Sequence, residues 1–131
     1  MPLVRITLAK GRDAAARRAI ADGVHAALTA TAGVPQDDRF QVVEQVDPED
    51  LIFDPSYLGL RREGPAVFVQ VTLNAGRTLE VKQALFARIA DELAARAGVR
   101  REDVLVNLVE VAREDWSFGG GVMSYPPPKA G

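Results

Sequence analysis

The chain lacks cysteine altogether and has a single histidine, His25, among 131 residues. Without thiols it forms no disulfide, thiolate metal site or cysteine nucleophile, and one imidazole cannot supply a histidine-rich metal site within a subunit. No apolar run approaches the roughly 18 residues of a membrane-spanning helix, and the N-terminal region has no signal-peptide core. The formal net charge of −2 includes no Lys/Arg run typical of nucleic-acid binding. We therefore expect a cytoplasmic protein without a metal, a membrane or a nucleic-acid partner.

The composition that remains is that of an ordinary globular domain. Hydrophobic residues make up 47% of the chain and charged residues 26%, which are typical proportions. A chain of 131 residues is long enough to bury a substantial core within one domain. We expect a single domain over residues 1–131.

The first strand is predicted at residues 2–8, where Val4, Ile6 and Leu8 alternate with polar neighbours. It begins with Pro2, which is small enough for a preceding initiator methionine to be removed. Removal would leave a secondary amine fixed to a rigid sheet, and such an amine can act as a base, an acid or a carbonyl-attacking nucleophile. The alternative is that Pro2 merely begins an edge strand, where its missing N–H costs little.

The rest of the first half reads as a helix and a second strand. Residues 14–32 have the apolar spacing of an amphipathic helix, with Asp13 as the N-cap candidate and Gly33 as the residue that ends it. His25 lies beside the apolar stripe, a position typical of a partly buried helix residue rather than a ligand. Residues 39–46 follow as the second strand.

The second half repeats this order of elements. Residues 66–73 have the strongest strand pattern in the chain, and residues 103–111 read as the fourth strand. Between them, residues 79–97 have helical spacing, with Thr78 as the N-cap candidate. Four residues of this helix are predicted to face inward: Phe86, Ile89, Ala90 and Leu93.

The two halves match without a gap at a shift of 65 positions, since Gly11-Arg12 recurs as Gly76-Arg77 and Asp38 matches Asp103. We therefore predict an α/β (α+β) fold of tandem β-α-β units at 2–46 and 66–111, joined by a connector at 47–65 and followed by a C-terminal hairpin or tail at 112–131. Right-handed crossovers make the strands of each unit parallel, giving a four-stranded sheet with two helices on one face. The other face is too apolar for water, so we expect other subunits to cover it.

Several short runs resemble the tautomerase superfamily, and most closely its two-unit, malonate semialdehyde decarboxylase-like branch. They span nearly the whole chain and comprise Met1-Pro2-Leu3, Gly11-Arg12, Gly33-Val34-Pro35, Asp38-Arg39-Phe40-Gln41, Gly76-Arg77 and Asp115-Trp116-Ser117-Phe118-Gly119. The fourth and the last of these runs are the specific ones. The resemblance implies a tautomerase-like fold, a homotrimer with active sites near subunit boundaries, and no metal or organic cofactor.

The resemblance also implies catalytic roles. Family members act on small carboxylated carbonyl compounds through an amino-terminal proline, so Pro2 is the predicted catalytic amine. Asp38 matches the carboxylate that orients this proline or activates water, although it could instead cap its loop or pair with Arg39. Arg77 is predicted to hold the substrate carboxylate by a forked pair of hydrogen bonds, the alternative being a solvated surface arginine. Its counterpart Arg12 is expected to be structural.

Four further residues complete the predicted site as substrate-binding residues. Trp116 and Phe118 would form an apolar wall that excludes water from the reacting carbon, or else pack between subunits. The glycines at 119–121 allow a sharp turn that brings Tyr125 towards the site. Asn74 stands near the first of two arginines that the decarboxylase pattern carries after the third strand.

The absence of the first of these two arginines affects which reaction the sequence predicts. It favours keto-enol tautomerisation of a small 2-oxo acid, such as an aryl pyruvate, over decarboxylation of malonate semialdehyde. Decarboxylation or hydration of a 3-oxo acid is the alternative within the enzyme class. Outside that class, the chain could be a non-catalytic oligomeric small-molecule binder. Retention of Met1 would favour the binder, because a blocked amine cannot perform this chemistry.

Overall fold

The computed structural model describes residues 1–129. One mixed sheet contains four strands, in the spatial order β2-β1-β3-β4: β1 (Leu3–Ala9), β2 (Gln41–Val46), β3 (Val67–Asn74) and β4 (Val104–Val111). Within each half the strands are parallel and are joined by a helix, α1 (Ala14–Thr31) or α2 (Leu79–Ala97). The central pair, β1 and β3, is antiparallel. The predicted tandem β-α-β architecture is confirmed.

The helix boundaries follow from local capping. The Asp13 side chain accepts a hydrogen bond at 2.8 Å from the Ala16 amide, and Thr78 accepts one at 3.2 Å from Val81, so each satisfies a free N–H of the first turn. At the other end of α2, Gly98 has a φ of 64°, which is the left-handed conformation that favours glycine.

The core lies between the inner face of the sheet and the two helices. Alternate residues of β1 and β3 are buried there, and they meet the buried stripe of α2 formed by Leu85, Ile89 and Leu93. The prediction that Phe86 faces inward is wrong, because this side chain is 40% exposed. Ile89 and Leu93 are buried as predicted, and Leu85, four residues before Ile89, takes the buried position expected for Phe86.

The 65-residue repeat is preserved in the hydrogen-bonding pattern. The pair Ala9 and Val46 at the end of the first parallel ladder corresponds to Asn74 and Val111 at the end of the second. Just beyond these pairs, the Lys10 amide donates to the Val46 carbonyl and the Ala75 amide donates to the Val111 carbonyl, both at 2.8 Å. The two halves are therefore related by an approximate twofold axis through the β1–β3 pair.

The outer face of the sheet and the C-terminal segment complete the description. Leu3, Val42, Leu105 and Val109 are between 37% and 40% exposed on the face opposite the helices. Residues 112–129 contain a short 3₁₀ turn at Arg113–Asp115 and loops but no strand, so this segment is a tail and not a hairpin. Residues 130 and 131 of the predicted tail lie outside the described part. Within residues 1–129, no helix is both long and apolar enough to cross a membrane.

Candidate active site

The seven residues predicted for the site lie at one end of the sheet, where β1 and β2 begin and β3 and β4 finish. We call this the amino-terminal end. The pairing of Leu3 with Thr72, continued by two residues, brings Met1 level with Asn74. Asp38 lies just before β2, Arg77 lies just after β3, and the segment from Trp116 to Tyr125 follows β4. Because two parallel strand pairs are joined by the antiparallel pairing of β1 with β3, residues that are far apart in sequence lie together at this end of the sheet.

The amino group of the chain forms an ion pair with Asp38. The Met1 nitrogen lies 3.0 Å from Asp38 Oδ2, and the Asp38 side chain is only 10% exposed. Oδ2 is buried and, apart from this ion pair, accepts no hydrogen bond from residues 1–129. Attraction between opposite charges is stronger where water is largely excluded. Pro2 is itself buried and follows directly, so removal of Met1 would make the Pro2 nitrogen the amino group of the chain, one residue along from the nitrogen that pairs with Asp38.

The position of Asp38 depends on the turn that precedes it. The Asp38 amide donates to the Pro35 carbonyl at 3.0 Å, which closes the turn. His25 is buried, and its Nε2 lies 2.9 Å from the carbonyl oxygen of Gln36 within the same turn. The one histidine thus holds a loop of the site against α1, as a buried helix residue.

The Asp-Arg-aromatic-Gln run divides its side chains between the site and α1. Asp38 and Phe40 line the pocket. Arg39 donates to Asp22 of α1 at 2.6 Å and to Gln41 at 2.8 Å, and Gln41 donates at 2.8 Å to a backbone carbonyl of α1. The hydrogen bond from Arg39 is the main cause that lowers the pKa of Asp22. Arg39 is therefore engaged by Asp22, and Asp38 is left for the amino group.

An aromatic wall stands at one side of the pocket: Phe40, Phe118 and Tyr125 line the pocket, whereas Trp116 packs on Phe118 and is not among the lining residues. Trp116 stacks on Phe118 with ring centroids 5.1 Å apart and an interplanar angle of 12°. Phe118 also contacts Phe40 at 5.2 Å and, edge to face, Tyr125 at 5.9 Å. Such contacts add to the stabilisation that burial of the rings provides. These ring contacts of Phe118, with Trp116, Phe40 and Tyr125, are all made within one chain.

Asn74 orients this wall. Its Oδ1 accepts a hydrogen bond at 2.6 Å from the indole Nε1 of Trp116. A half-buried indole N–H needs such an acceptor. The side-chain oxygen of Asn74, predicted to bind substrate, is thus committed to Trp116.

A closed loop returns the chain to the site after β4. The Ser124 amide donates to the Trp116 carbonyl at 3.0 Å, and the Phe118 amide donates to Ser124 Oγ at 2.9 Å. All three glycines at 119–121 have positive φ angles, which favour glycine at these positions. The loop thereby brings Tyr125 to the pocket, where the Arg113 guanidinium lies 5.3 Å from the centre of its ring.

Met1 fills part of the pocket. The Tyr125 hydroxyl lies 2.7 Å from Met1 Sδ, while the Met1 amino group contacts Asp38. The cavity around them has a volume of about 430 Å³, and it is lined by Met1, Pro35, Asp37, Asp38, Phe40, Phe118, Ser124 and Tyr125. Of the seven predicted residues, Asp38, Phe118 and Tyr125 line this cavity, whereas Pro2, Asn74, Arg77 and Trp116 are not among its lining residues.

Arg77 makes its forked hydrogen bonds to the backbone. Its Nε and Nη2 donate to the Ala32 carbonyl at 3.2 and 2.9 Å, and its Nη1 donates to the Asn74 carbonyl at 3.1 Å. Ala32 is the C-cap of α1, so Arg77 satisfies a carbonyl that the helix leaves free. The side chain is half-buried rather than fully solvated. A guanidinium has five N–H groups, so two remain uncommitted among the described residues.

Sequence reasoning missed several contributors to the site. Phe40 and Pro35 stand in quoted motifs, and the alternation of Phe40 with Asp38 along the chain could have assigned it to the pocket. Ser124 and Arg113 carry no sequence signal, because their positions depend on how the loop after β4 closes. No group of three or more His, Asp or Glu side chains that could hold a metal ion occurs in residues 1–129.

Two family profiles, each described as a tautomerase enzyme, match the chain at residues 38–119 and 2–61. The probable tautomerase YusQ of Bacillus subtilis strain 168 is 37% identical over 121 residues, covering 92% of this chain and 95% of that protein. The probable tautomerase YrdN of the same organism is 34% identical over 125 residues, covering 95% of this chain and 96% of that protein.

Solved structures agree with these matches. The FG41 malonate semialdehyde decarboxylase, inhibited by 3-bromopropiolate, is 44% identical with a TM-score of 0.89, and the match covers 94% of this chain and 93% of that chain. Another malonate semialdehyde decarboxylase, studied for its decarboxylase and hydratase activities, is 32% identical with a TM-score of 0.86, covering 92% and 93%. The fold is that of the tautomerase superfamily.

The chain belongs to the tautomerase family, and it is an enzyme of that superfamily. The alternative of a non-catalytic binder is therefore not retained.

Proposed function

We propose that the enzyme catalyses keto-enol tautomerisation of a small 2-oxo acid through the secondary amine of Pro2, which is released by removal of Met1. The observation that carries this proposal is the ion pair of the chain's amino group with Asp38, at 3.0 Å in a pocket with an aromatic wall. In the proposed mechanism, the amine of Pro2 replaces the Met1 amine as the partner of Asp38 once Met1 is removed.

The reaction moves one proton from oxygen to carbon. In ketonisation, the protonated Pro2 amine donates a proton to carbon 3 of the enol, and the neutral amine then recovers the proton that the enol hydroxyl loses. The carboxylate of Asp38 stabilises the cationic form of the amine, which is present before the first step and again after the second. A positioned acid–base group of this kind typically contributes about 10²–10⁴-fold to the rate.

The substrate's carboxylate and side chain would be held by different parts of the site. The two uncommitted N–H groups of Arg77 are suited to a carboxylate oxygen, because charge-assisted hydrogen bonds of this type are strong. Phe118 and Phe40 offer an apolar surface for a planar side chain, and Tyr125 presents a hydroxyl at the position that Met1 Sδ now occupies. These features favour an aryl-substituted 2-oxo acid.

Decarboxylation or hydration of a 3-oxo acid is the second candidate. It is favoured by the 44% identity to a malonate semialdehyde decarboxylase and by the presence of Asp38, which could activate water or orient the amine. Asp38→Asn keeps the side-chain shape and removes its charge. We expect its kcat to fall more on a 3-oxo acid than on an aryl pyruvate enol if water addition or decarboxylation is the natural reaction. A larger fall on the enol would instead assign Asp38 to proton transfer.

The experiment that tests the proposal combines mass determination of the N-terminus with assay of an aryl pyruvate enol. Pro2→Ala, correctly processed, keeps a terminal amine but makes it primary, and we expect turnover to fall by about 10²–10⁴-fold. A chain with extra residues ahead of Met1 has no free amine at the site and should also be inactive. Unchanged turnover in either protein would refute the amine mechanism.

We further propose a homotrimer in which other subunits cover the outer face of the sheet. The half-exposed apolar residues Leu3, Val42, Leu105 and Val109 support this proposal, since an apolar surface of this kind favours association. Sedimentation equilibrium at micromolar concentration should give three times the chain mass of 14.1 kDa, and a monomer would contradict it. The cytoplasmic location stays a prediction from the sequence.

A further inference from the structure

Ser124 lies in the wall of the cavity that also contains Met1 and Asp38, although no sequence motif pointed to it. The residue lines this cavity of about 430 Å³ and is partly buried. Its backbone is fixed there, because the Ser124 amide donates to the Trp116 carbonyl at 3.0 Å. Ser124 is therefore held beside the space in which a substrate would react.

The hydroxyl of Ser124 has a fixed oxygen and a free hydrogen. Its Oγ accepts a hydrogen bond from the Phe118 amide at 2.9 Å, and this is the one hydrogen bond of the side chain within residues 1–129. Since Phe118 also lines the cavity, the hydroxyl lies at the cavity wall. A serine hydroxyl has one O–H donor in addition to its acceptor lone pairs, so this donor is not used by the fold. A hydrogen bond accepted by the oxygen polarises the O–H and makes it a stronger donor.

Donors of this kind are scarce around the cavity. Among the described residues that line it, Ser124 and Tyr125 carry hydroxyl groups, whereas Asp37 and Asp38 carry carboxylates. An ionised carboxylate only accepts hydrogen bonds, and it repels the oxygens of an anionic substrate. A substrate oxygen that enters this cavity is therefore stabilised beside the hydroxyls and not beside Asp37 or Asp38.

The oxygen on carbon 2 of a 2-oxo acid has the greatest need of such a donor. Tautomerisation converts this oxygen between a hydroxyl and a carbonyl, and it carries partial negative charge in the transition state. A positioned donor stabilises developing charge more effectively in a site from which water is excluded than in water. The substrate carboxylate has a proposed partner in Arg77, whereas the oxygen on carbon 2 has only the Pro2 amine.

We propose that Ser124 is a further catalytic residue, which donates a hydrogen bond to the oxygen on carbon 2 of the substrate. Ser124 gives up no proton. The Pro2 amine still donates a proton to carbon 3 and recovers the proton of the enol hydroxyl, while the serine O–H stabilises the charge on oxygen between these steps. The identity of the reacting oxygen rests on the proposed function, whereas the free O–H and its place in the cavity wall do not.

Two ligands that differ only in this oxygen provide the test. 3-Phenyllactate has a hydroxyl on carbon 2, and 3-phenylpropionate has hydrogen there. Both are titrated into the full ¹⁵N-labelled chain after removal of Met1, and the amide resonances of Phe118 and Tyr125 report binding. We expect the unaltered protein to prefer 3-phenyllactate. Ser124→Ala should reduce this preference by roughly three- to tenfold, as expected for loss of one hydrogen bond.

The ratio of the two affinities separates a contact with the ligand from a role in folding the loop. Ser124→Ala also leaves the Phe118 amide without its acceptor, and any resulting change of the aromatic wall weakens both ligands alike. Only a contact with the oxygen on carbon 2 alters the ratio. Ser117→Ala is the matched control, because Ser117 belongs to the same segment, is exposed and is not among the residues that line this cavity. The ratio should be unchanged in this variant.

Kinetics on an aryl pyruvate enol measure the same contact in the transition state. We expect kcat to fall by roughly a hundredfold in Ser124→Ala, as for loss of a donor to a developing oxyanion. Ser124→Thr keeps the hydroxyl and should retain most of the activity. A large fall in kcat with unchanged Trp116 fluorescence would assign the effect to the missing O–H and not to a displaced wall.

The proposal is overturned if Ser124→Ala keeps the preference for 3-phenyllactate, if it weakens both ligands equally, or if the unaltered protein shows no preference. These outcomes are independent of the amine mechanism. Full turnover in Pro2→Ala, together with loss of the preference in Ser124→Ala, would refute the proposed function and leave the Ser124 contact standing. Loss of turnover in Pro2→Ala with an unaltered preference in Ser124→Ala would have the reverse meaning.

Discussion

Asn74 and Trp116 are joined across the amino-terminal end of the sheet by a hydrogen bond of 2.6 Å from the indole N–H to the amide oxygen. Asn74 is the last residue of β3 and Trp116 follows the 3₁₀ turn after β4, so this contact ties the aromatic wall to the sheet. Asn74, which the sequence analysis placed near the first arginine of the decarboxylase-like pattern, thus orients an aromatic side chain here.

Asn74→Ala should loosen the wall without unfolding the enzyme. It removes the acceptor of a half-buried N–H, which typically costs about 1–3 kcal/mol. Trp116 is the one tryptophan in the chain, so its fluorescence reports the change directly, and we expect a red shift together with a fall in kcat/KM. Asn74→Asp keeps an acceptor oxygen and should retain the native emission. Native emission in Asn74→Ala would mean that the hydrogen bond does not orient Trp116.

Arg77 donates hydrogen bonds to the backbone and is proposed to bind the substrate carboxylate. Its replacement should therefore change both stability and substrate binding. Three hydrogen bonds from its guanidinium hold the carbonyls of Ala32 and Asn74. We expect Arg77→Ala to lower the free energy of unfolding by about 1.5–3 kcal/mol, in the range for hydrogen bonds to charged groups. If the free N–H groups also bind the substrate carboxylate, KM should rise roughly tenfold or more.

Arg77→Lys is the matched variant, because it keeps the positive charge and loses the planar fork. Urea unfolding and steady-state kinetics on an aryl pyruvate enol separate the two roles. A fall in stability with unchanged KM in Arg77→Ala would restrict Arg77 to the fold. A rise in KM with unchanged stability would contradict the importance of its backbone contacts.

Much of the architecture was predictable because it depends on local signals that occur twice. Asp13 and Thr78 were identifiable as caps, and strand alternation identified the buried residues of β1. The choice between Phe86 and Leu85 was not predictable, since both are apolar and both lie within helical spacing of Ile89 and Leu93. Packing in the folded core buries Leu85 and leaves Phe86 exposed.

Motifs selected seven candidate residues that lie at one end of the sheet, but the hydrogen bonds among them were not predictable. The roles of Arg77 and Asn74 depend on partners 45 and 42 residues away, Ala32 and Trp116. No spacing rule relates such positions, because the connection exists only after two β-α-β units have packed together. The contact of Met1 with Tyr125 likewise depends on the loop before Tyr125, which brings this residue to the pocket. The glycines at 119–121 permit this loop conformation but do not specify it.

The Asp22–Arg39 ion pair gives a prediction about pH. The pKa of Asp22 is lowered from 3.8, chiefly by the hydrogen bond from Arg39 at 2.6 Å. A carboxylate with a lowered pKa in the folded state adds stability that is fully present above the unfolded pKa and is lost as the pH falls through the folded pKa. Asp22 is 38% exposed, so screening by water limits the contribution of the pair to about 1 kcal/mol or less.

Arg39→Gln should therefore destabilise the enzyme at pH 7. Its difference from the unaltered protein should shrink as the pH falls below the ordinary carboxyl value of 3.8 and through the lowered pKa of Asp22 in the folded protein. Urea unfolding at pH 7 and at a pH well below 3.8, at fixed protein concentration, measures the two stability differences. Arg18→Gln is the control, because Arg18 is a more exposed partner of the same carboxylate at 3.3 Å, and it should have the smaller effect at pH 7. Since Arg39 also holds the start of β2 against α1, beside Asp38, Arg39→Gln should lower kcat as well. A stability difference that is equal at the two pH values would assign the effect of Arg39 to its contact with Gln41 and not to Asp22.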